Sequence, residues 1–189
     1  MENNNQFYNL NETEMLALWK QVMNLETPRR DCNVEWDDGI DLDALLLIHI
    51  KQWYAHQLNN APVALLPVED VAAQVSLNVL NGVVAATVPD HCVRPVEWKL
   101  AEWQRSVTEF LDPCSHEAML QLNKWTRGGA CNPAIIDYGF QLLMMSTNSA
   151  QPELELARCV VRPADGSYKF HSDLLSSIPT WESCSNNML

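Results

Sequence analysis

Glycine is scarce, with six residues in 189, and basic side chains are outnumbered two to one, 12 Lys and Arg against 24 Asp and Glu. The resulting net charge of -12 excludes a protein that grips duplex nucleic acid by neutralising phosphates, which takes a basic face that releases counterions. No apolar run approaches the roughly 18 residues of a membrane-spanning helix. The opening Met1-Glu2-Asn3-Asn4-Asn5-Gln6 has neither the basic nor the hydrophobic region of a secretory signal, so the chain is expected to remain in the cytoplasm where it is made. Cysteines stand at 32, 92, 114, 131, 159 and 184, with no Cys-x-x-Cys or Cys-x-x-x-Cys pair. That scatter offers no zinc spacing and suggests reduced thiols acting as small core residues. Also missing are the Gly-x-Ser-x-Gly elbow of a hydrolase, the Gly-x-x-x-x-Gly-Lys loop of a phosphate binder and the His-Glu-x-x-His of a zinc protease.

What is present is ordinary for a globular protein: 47% apolar and 19% charged residues. A chain of this length can build one core that buries about 70% of its unfolded surface. The expected fold class is α+β, with N-terminal helices packed on a mainly antiparallel β-sheet or sandwich and a short C-terminal helix. The expected divisions are a helical part over 1–82, a β-rich platform over 83–165 and a tail over 166–189, within a single domain. Acidity is weighted to the N-terminal part, where residues 1–75 carry twelve acids and four bases against twelve and eight in residues 76–189.

Along the chain, Leu10 to Met23 reads as an amphipathic helix, with Asn11 as N-cap, Glu14 closing a capping box, and Met15, Leu18, Trp19 and Val22 on one face. Pro28 ends it. Asp31 to Asp43 holds six acids and no base, but the sixth and twelfth places of a calcium loop, Gly and Glu, are filled by Trp36 and Leu42. A solvated loop that charges the start of the next helix fits better. That helix, about Leu42 to Leu58, is apolar almost all round at its start and is expected to be the most buried. It is expected to share one core with Val96, Trp98 and Leu100. From Pro67 to Leu80 the valines at 68, 71, 75 and 79 keep helical spacing, and the segment is predicted helical with Asn81-Gly82 as its C-cap. The alternation of Val75, Leu77 and Val79 keeps a strand ending in an Asn-Gly hairpin turn as the alternative. Strands are predicted over 83–88, 93–103, 134–137, 140–146 and 153–161, with turns at Tyr138-Gly139 and Asp165-Gly166. Short helices are predicted from Ser115 to Leu122 and from Asp173 to Ile178, before an Asn- and Ser-rich tail. Arg127-Gly128-Gly129 could cradle an anion with its amides, though a turn suits so glycine-poor a chain better. His49 and His56 share a helix face, yet no third metal ligand accompanies them.

The stretch from Val88 to Pro133 concentrates three of the seven Trp, three of the six Cys and four of the ten Pro. Within and around it, Val88-Pro89-Asp90, Arg94, Trp98-Lys99, Trp103-Gln104-Arg105-Ser106-Val107, Arg127-Gly128-Gly129 and Asn132-Pro133-Ala134 resemble virion structural proteins of crAss-like tailed phages of gut Bacteroidales. The resemblance spans about residues 83–165. It departs at Cys92 or Val93, where the family has Phe, at Leu142-Leu143-Met144-Met145, where it has an aromatic strand, and in a shorter tail after Gly166. The resemblance implies a head-to-tail connector at the virion's head-to-tail junction, made in the host cytoplasm and not an enzyme. Its partners would be copies of itself in a closed ring, a dodecamer matched to a portal, together with the portal and neighbouring tail proteins. DNA would pass an acidic channel without sequence-specific contact, and no membrane, cofactor, metal or catalytic residue is expected. Side-by-side subunits need two different docking faces. The candidates are Trp19, Trp125, Arg127, Gly128, Gly129, Tyr138 and Gly139, with Trp19 and Trp125 equally suited to the chain's own core. The rival readings are a small enzyme with His49, His56 or His116 in a pocket, and a host adaptor module.

Overall fold

The computed structural model describes residues 7–23 and 41–179, so the acidic run before Asp41, Pro28, Cys32, Cys184 and the Asn- and Ser-rich tail lie outside the described residues. The protein has an α+β fold, and every described strand pairing but one is antiparallel. The chain divides into two compact units, Met1–Leu66 with Pro163–Leu189, and Pro67–Arg162.

The first unit is built from the two ends of the chain. Strand β1 (Phe7–Leu10) pairs antiparallel with β10 (Tyr168–His171), from Phe7 opposite His171 to Leu10 opposite Tyr168. Helix α1 (Glu12–Val22) starts where the sequence places it. Asn11 Oδ1 accepts from the Glu14 amide and Glu14 Oε2 accepts from the Asn11 amide, both at 2.9 Å, so two otherwise orphaned donors are satisfied reciprocally. Helix α2 (Leu42–Asn60) is capped by Asp41, whose Oδ1 accepts from the amides of Asp43 and Ala44. Its buried stripe is Leu46, Ile50, Trp53, Tyr54 and Leu58. Leu42, Leu45 and Ile48 are exposed, contrary to the expectation of an all-round buried start, because a helix facing a two-stranded ribbon on one side covers only one stripe.

Aromatic rings fill this unit. The Trp53 ring lies edge-on to Trp19 and to Phe170, each at 5.5 Å between centroids, and Tyr54 lies edge-on to Tyr168 at 5.1 Å. Their polar tips are satisfied: Trp53 Nε1 donates to Ser177 Oγ, and the Tyr54 hydroxyl donates to the Lys169 carbonyl and accepts from its amide. The short helix predicted from Asp173 to Ile178 is a 3-10 helix over Ser172–Ser177. Ser176 and Ser177 donate their hydroxyls to the carbonyls three residues back, which favours the tighter turn.

The second unit holds two sheets. One is ordered β2 (Val68–Asp70), β9 (Leu154–Val161), β5 (Cys92–Leu100). The other is ordered β3 (Ser76–Leu80), β4 (Val83–Thr87), β8 (Gln141–Met145), β7 (Ile135–Asp137), β6 (Phe110–Leu111), with the single parallel pairing between β6 and β7. Helix α3 (His116–Leu122) follows β6 and is capped by Ser115 Oγ, which accepts from the Ala118 amide at 3.1 Å. Inward residues of both sheets meet in one cluster that includes Val84, Trp98, Leu100, Trp103, Leu142, Met144 and Cys159.

The helix predicted over 67–80 is not formed. β2, a single 3-10 turn and β3 occupy the segment, and Asn81 and Gly82, with φ of 54° and 75°, make the two-residue hairpin turn that sets Leu80 opposite Val83. Strand pairing outweighed the helical spacing of the valines. This pairing, and that of β2 with β9, puts the unit boundary at Leu66/Pro67 where the sequence reading placed it after residue 82. Pairing of β10 with β1 likewise ties the C-terminal part to the N-terminal unit. Helix α2 belongs to the first unit, whereas Trp98 and Leu100, expected to share a core with it, belong to the core cluster of the second. Val96 sits at a register shift between Pro95 and Glu97, so only Trp98 and Leu100 of the expected alternation are fully buried.

Candidate interaction surface

Helix α3 is short, and Ala118 is its only buried residue. Met119, Leu120 and Leu122 are exposed on it. The loop that follows is held by local bonds. Asn123 Oδ1 accepts from the Trp125 amide at 3.0 Å, Thr126 Oγ1 donates to the Leu120 carbonyl at 2.6 Å, and the Arg127 amide donates to the Asn123 carbonyl at 3.0 Å. These bonds fix the backbone so that the Trp125 indole stands out from it, 84% exposed, with Lys124 Nζ 4.7 Å from its ring centroid.

Arg127 turns the other way. Its Nε donates to the Gln121 carbonyl at 2.9 Å, Nη2 to the Leu122 carbonyl and Nη1 to the Gly82 carbonyl, both at 3.3 Å. One guanidinium therefore caps the C-terminal carbonyls of α3 and ties them to the β3–β4 turn, a use of planar donors that lysine could not reproduce. Gly128 donates its amide to Gln121 Oε1 and accepts at its carbonyl from Ser146 Oγ, and a Cβ at this position would run into the Asn132 carbonyl. The anion-cradle reading fails on this geometry, because the Arg127 donors and the Gly128 amide are spent within the chain. Gly129, with open space around it, is the part of the loop that faces outward.

At the β7–β8 hairpin, Asp137 Oδ1 accepts from the Gly139 amide at 2.7 Å, and Gly139 takes φ 84°, a left-handed conformation natural to glycine. The turn projects Tyr138, 41% exposed, and Phe140, 76% exposed. Trp19, by contrast, is 1% exposed and meets Trp53 edge-on, so its ring belongs to the first unit's interior. Leu80, Met119, Leu120, Leu122 and Phe140 are exposed apolar residues that the sequence reading did not single out. The signal open to it was the seven-residue length of α3, too short to bury a full apolar stripe.

His49, His56 and His116 are exposed, and His49 lines an apolar groove of about 380 Å³ with Trp19, Leu42, Leu46 and Trp53 and no carboxylate among its described lining residues. In the second unit a polar cleft of about 460 Å³ is lined by Arg105, Glu109, Glu117, Gln121 and Asn132, and no histidine or cysteine is among its described lining residues. Among the described residues no group of three or more His, Cys, Asp or Glu could hold a metal, and no helix is long and apolar enough to cross a membrane. No protein-family model matches the chain, and no curated protein matches it in sequence.

Proposed function

We propose that the chain is a non-enzymatic assembly subunit that packs side by side with copies of itself in a closed ring, and that the ring is a head-to-tail connector of a tailed-phage virion. The observation that carries the assembly reading is the placement of Trp125. Trp19, Trp53, Trp98 and Trp103 are at most 8% exposed, whereas Trp125 presents 84% of its surface beside the exposed apolar residues of α3. Leaving an indole in water forgoes about 25 cal/mol for each Å² of apolar area, and tryptophan is enriched where protein surfaces meet. The hairpin residues Tyr138, Gly139 and Phe140 supply a second apolar projection, so the subunit carries the two unlike patches that heterologous, ring-closing contact requires. The connector assignment rests on the resemblance over residues 83–165. The net charge of -12 is in keeping with it, because a wall of carboxylates does not hold passing phosphates.

The test is the mass of the purified protein in solution, with negative-stain images of the same sample. A closed ring is expected for the parent. Trp125→Ala is expected to leave the thermal melt unchanged while abolishing the ring. A monomeric parent, or a Trp125→Ala protein that still closes, overturns the assembly reading, and absence of the chain from purified virions overturns the connector assignment.

A further inference from the structure

Strands β5 and β9 each bring one cysteine to the same buried face of the second unit. The register places Cys92 opposite Val161 and Cys159 opposite Pro95, with a shift between Cys92 and Arg94. Alternation along β9 puts Cys159 on the same side as Val161, and both are buried, in the cluster against which the half-buried Cys92 packs. The two thiols are close enough that each alters the ionisation of the other. Trp98 stands beside them, with its buried Nε1 lacking a full hydrogen-bond partner and approaching the Cys159 sulfur. A buried N–H without an acceptor is costly, and a thiolate formed at Cys159 would be a stronger acceptor for it than the thiol.

We infer that Cys92 and Cys159 are an oxidisable pair that closes as a cross-strand disulfide, locking β5 to β9, when the protein meets a small-molecule disulfide. The two residues stand diagonally across neighbouring strands, Cys159 two positions along β9 from the partner of Cys92, so closing the S–S bond takes side-chain rotation together with a backbone adjustment at the Cys92/Arg94 register shift. Cys92, half-buried, is the entry point, and Cys159, fully buried, is the resolving thiol. The Cys92 thiolate attacks one sulfur of the oxidant and expels one thiolate, leaving a mixed disulfide on Cys92. The Cys159 thiolate then attacks the Cys92 sulfur and expels the second. The two cysteine protons pass to the two departing thiolates, and the two electrons lost in forming the protein S–S bond are those that reduce the oxidant to two thiols. Burial holds both thiols above the ordinary range, Cys159 up to about 12, so the reaction is slow at neutral pH and accelerates as pH rises. The exposed Cys114 and Cys131 should stop at mixed disulfides. This pairing does not depend on the ring reading.

The experiment is treatment of the folded protein with oxidised glutathione at mildly alkaline pH, alkylation of the remaining thiols, and non-reducing peptide mapping. The expected result is a peptide pair joined through Cys92 and Cys159, formed faster at higher pH. Cys159→Ser should then leave a persistent glutathione adduct on Cys92, and Cys92→Ser should leave Cys159 unmodified while the protein stays folded. A parent in which Cys92 keeps its adduct, or in which both residues remain alkylatable, overturns the inference. A Cys92→Ser protein whose Cys159 takes up glutathione as fast as Cys114 overturns the assigned order of attack. Should either variant fail to fold, the map of the parent decides alone.

Discussion

The two units use their aromatic residues in opposite ways. In the first, Trp19, Trp53, Tyr54, Tyr168 and Phe170 interlock edge to face around α2, and the polar tips of Trp53 and Tyr54 end on Ser177 and on the Lys169 backbone. In the second, the interior is largely aliphatic and methionine-lined, with Trp98 and Trp103 as its anchors, while Trp125, Tyr138 and Phe140 point outward from loops. A ring buried within a unit stabilises that unit. A ring displayed on a loop held by local hydrogen bonds contributes little to the unit's own fold and is free to contribute to another's.

The sharpest way to break that comparison is to truncate one inward ring in each unit. Trp53→Ala and Trp98→Ala should each cost about 3–5 kcal/mol by urea denaturation, the range for deleting a buried large ring. A value below about 1 kcal/mol for either would show that its unit does not rest on that anchor. Next in size is Arg127→Ala, which leaves the carbonyls of Gln121, Leu122 and Gly82 without their charged donor. A loss of about 2 kcal/mol is expected, with Arg127→Lys recovering only part of it, read from the same denaturation curves.

A pH series separates the two interiors by a buried acid in each. Burial raises the Cys159 thiol from 9.0 to about 12, and burial likewise raises the Tyr168 hydroxyl, with Glu12 adding to the rise and Lys51 opposing it. A raised acid stays protonated in the folded protein while its unfolded counterpart ionises, so the folded state binds more protons and stability falls as pH climbs above the unfolded value. For Cys159 that window runs from 9.0 toward about 12, with a slope of at most about 1.4 kcal/mol per pH unit. Denaturation midpoints under reducing conditions should fall between about pH 8 and about pH 10.5 in the parent and fall less in Cys159→Ala. Equal slopes in the two proteins would count against a buried neutral thiol. The smallest effect concerns the first unit's entry point, where Asn11→Ala removes the capping box of α1 and should cost about 1 kcal/mol, with Asn11→Ser recovering most of it.

Features set by neighbours along the chain were legible in the residues. The Asn11 and Ser115 caps, the hairpin at Tyr138-Gly139 and the turn at Asp165-Gly166 all stand where the sequence places them, since each depends on bonds that span a few residues. Asn81-Gly82 was legible as a stop but not as to kind, because a C-cap and a hairpin turn draw on the same left-handed freedom. Of the candidate docking residues, Trp125, Gly129, Tyr138 and Gly139 face outward, while Trp19 and the Arg127-Gly128 pair serve the chain's own packing.

The sequence by itself determined the α+β class, the helix starts and the tight turns, because capping side chains and left-handed residues act within one turn of backbone. Only the tertiary structure decided what depends on a distant partner. β4 claimed residues 76–80 as a strand, β1 drew the C-terminal part back to the N-terminal unit, and the carbonyls of α3 and of Gly82 converted Arg127 from a free charge into a clasp. Which of the five described tryptophans stayed in water was settled the same way, since apolar area is removed from solvent by whatever chain happens to lie opposite, and periodicity names the face but not the neighbour.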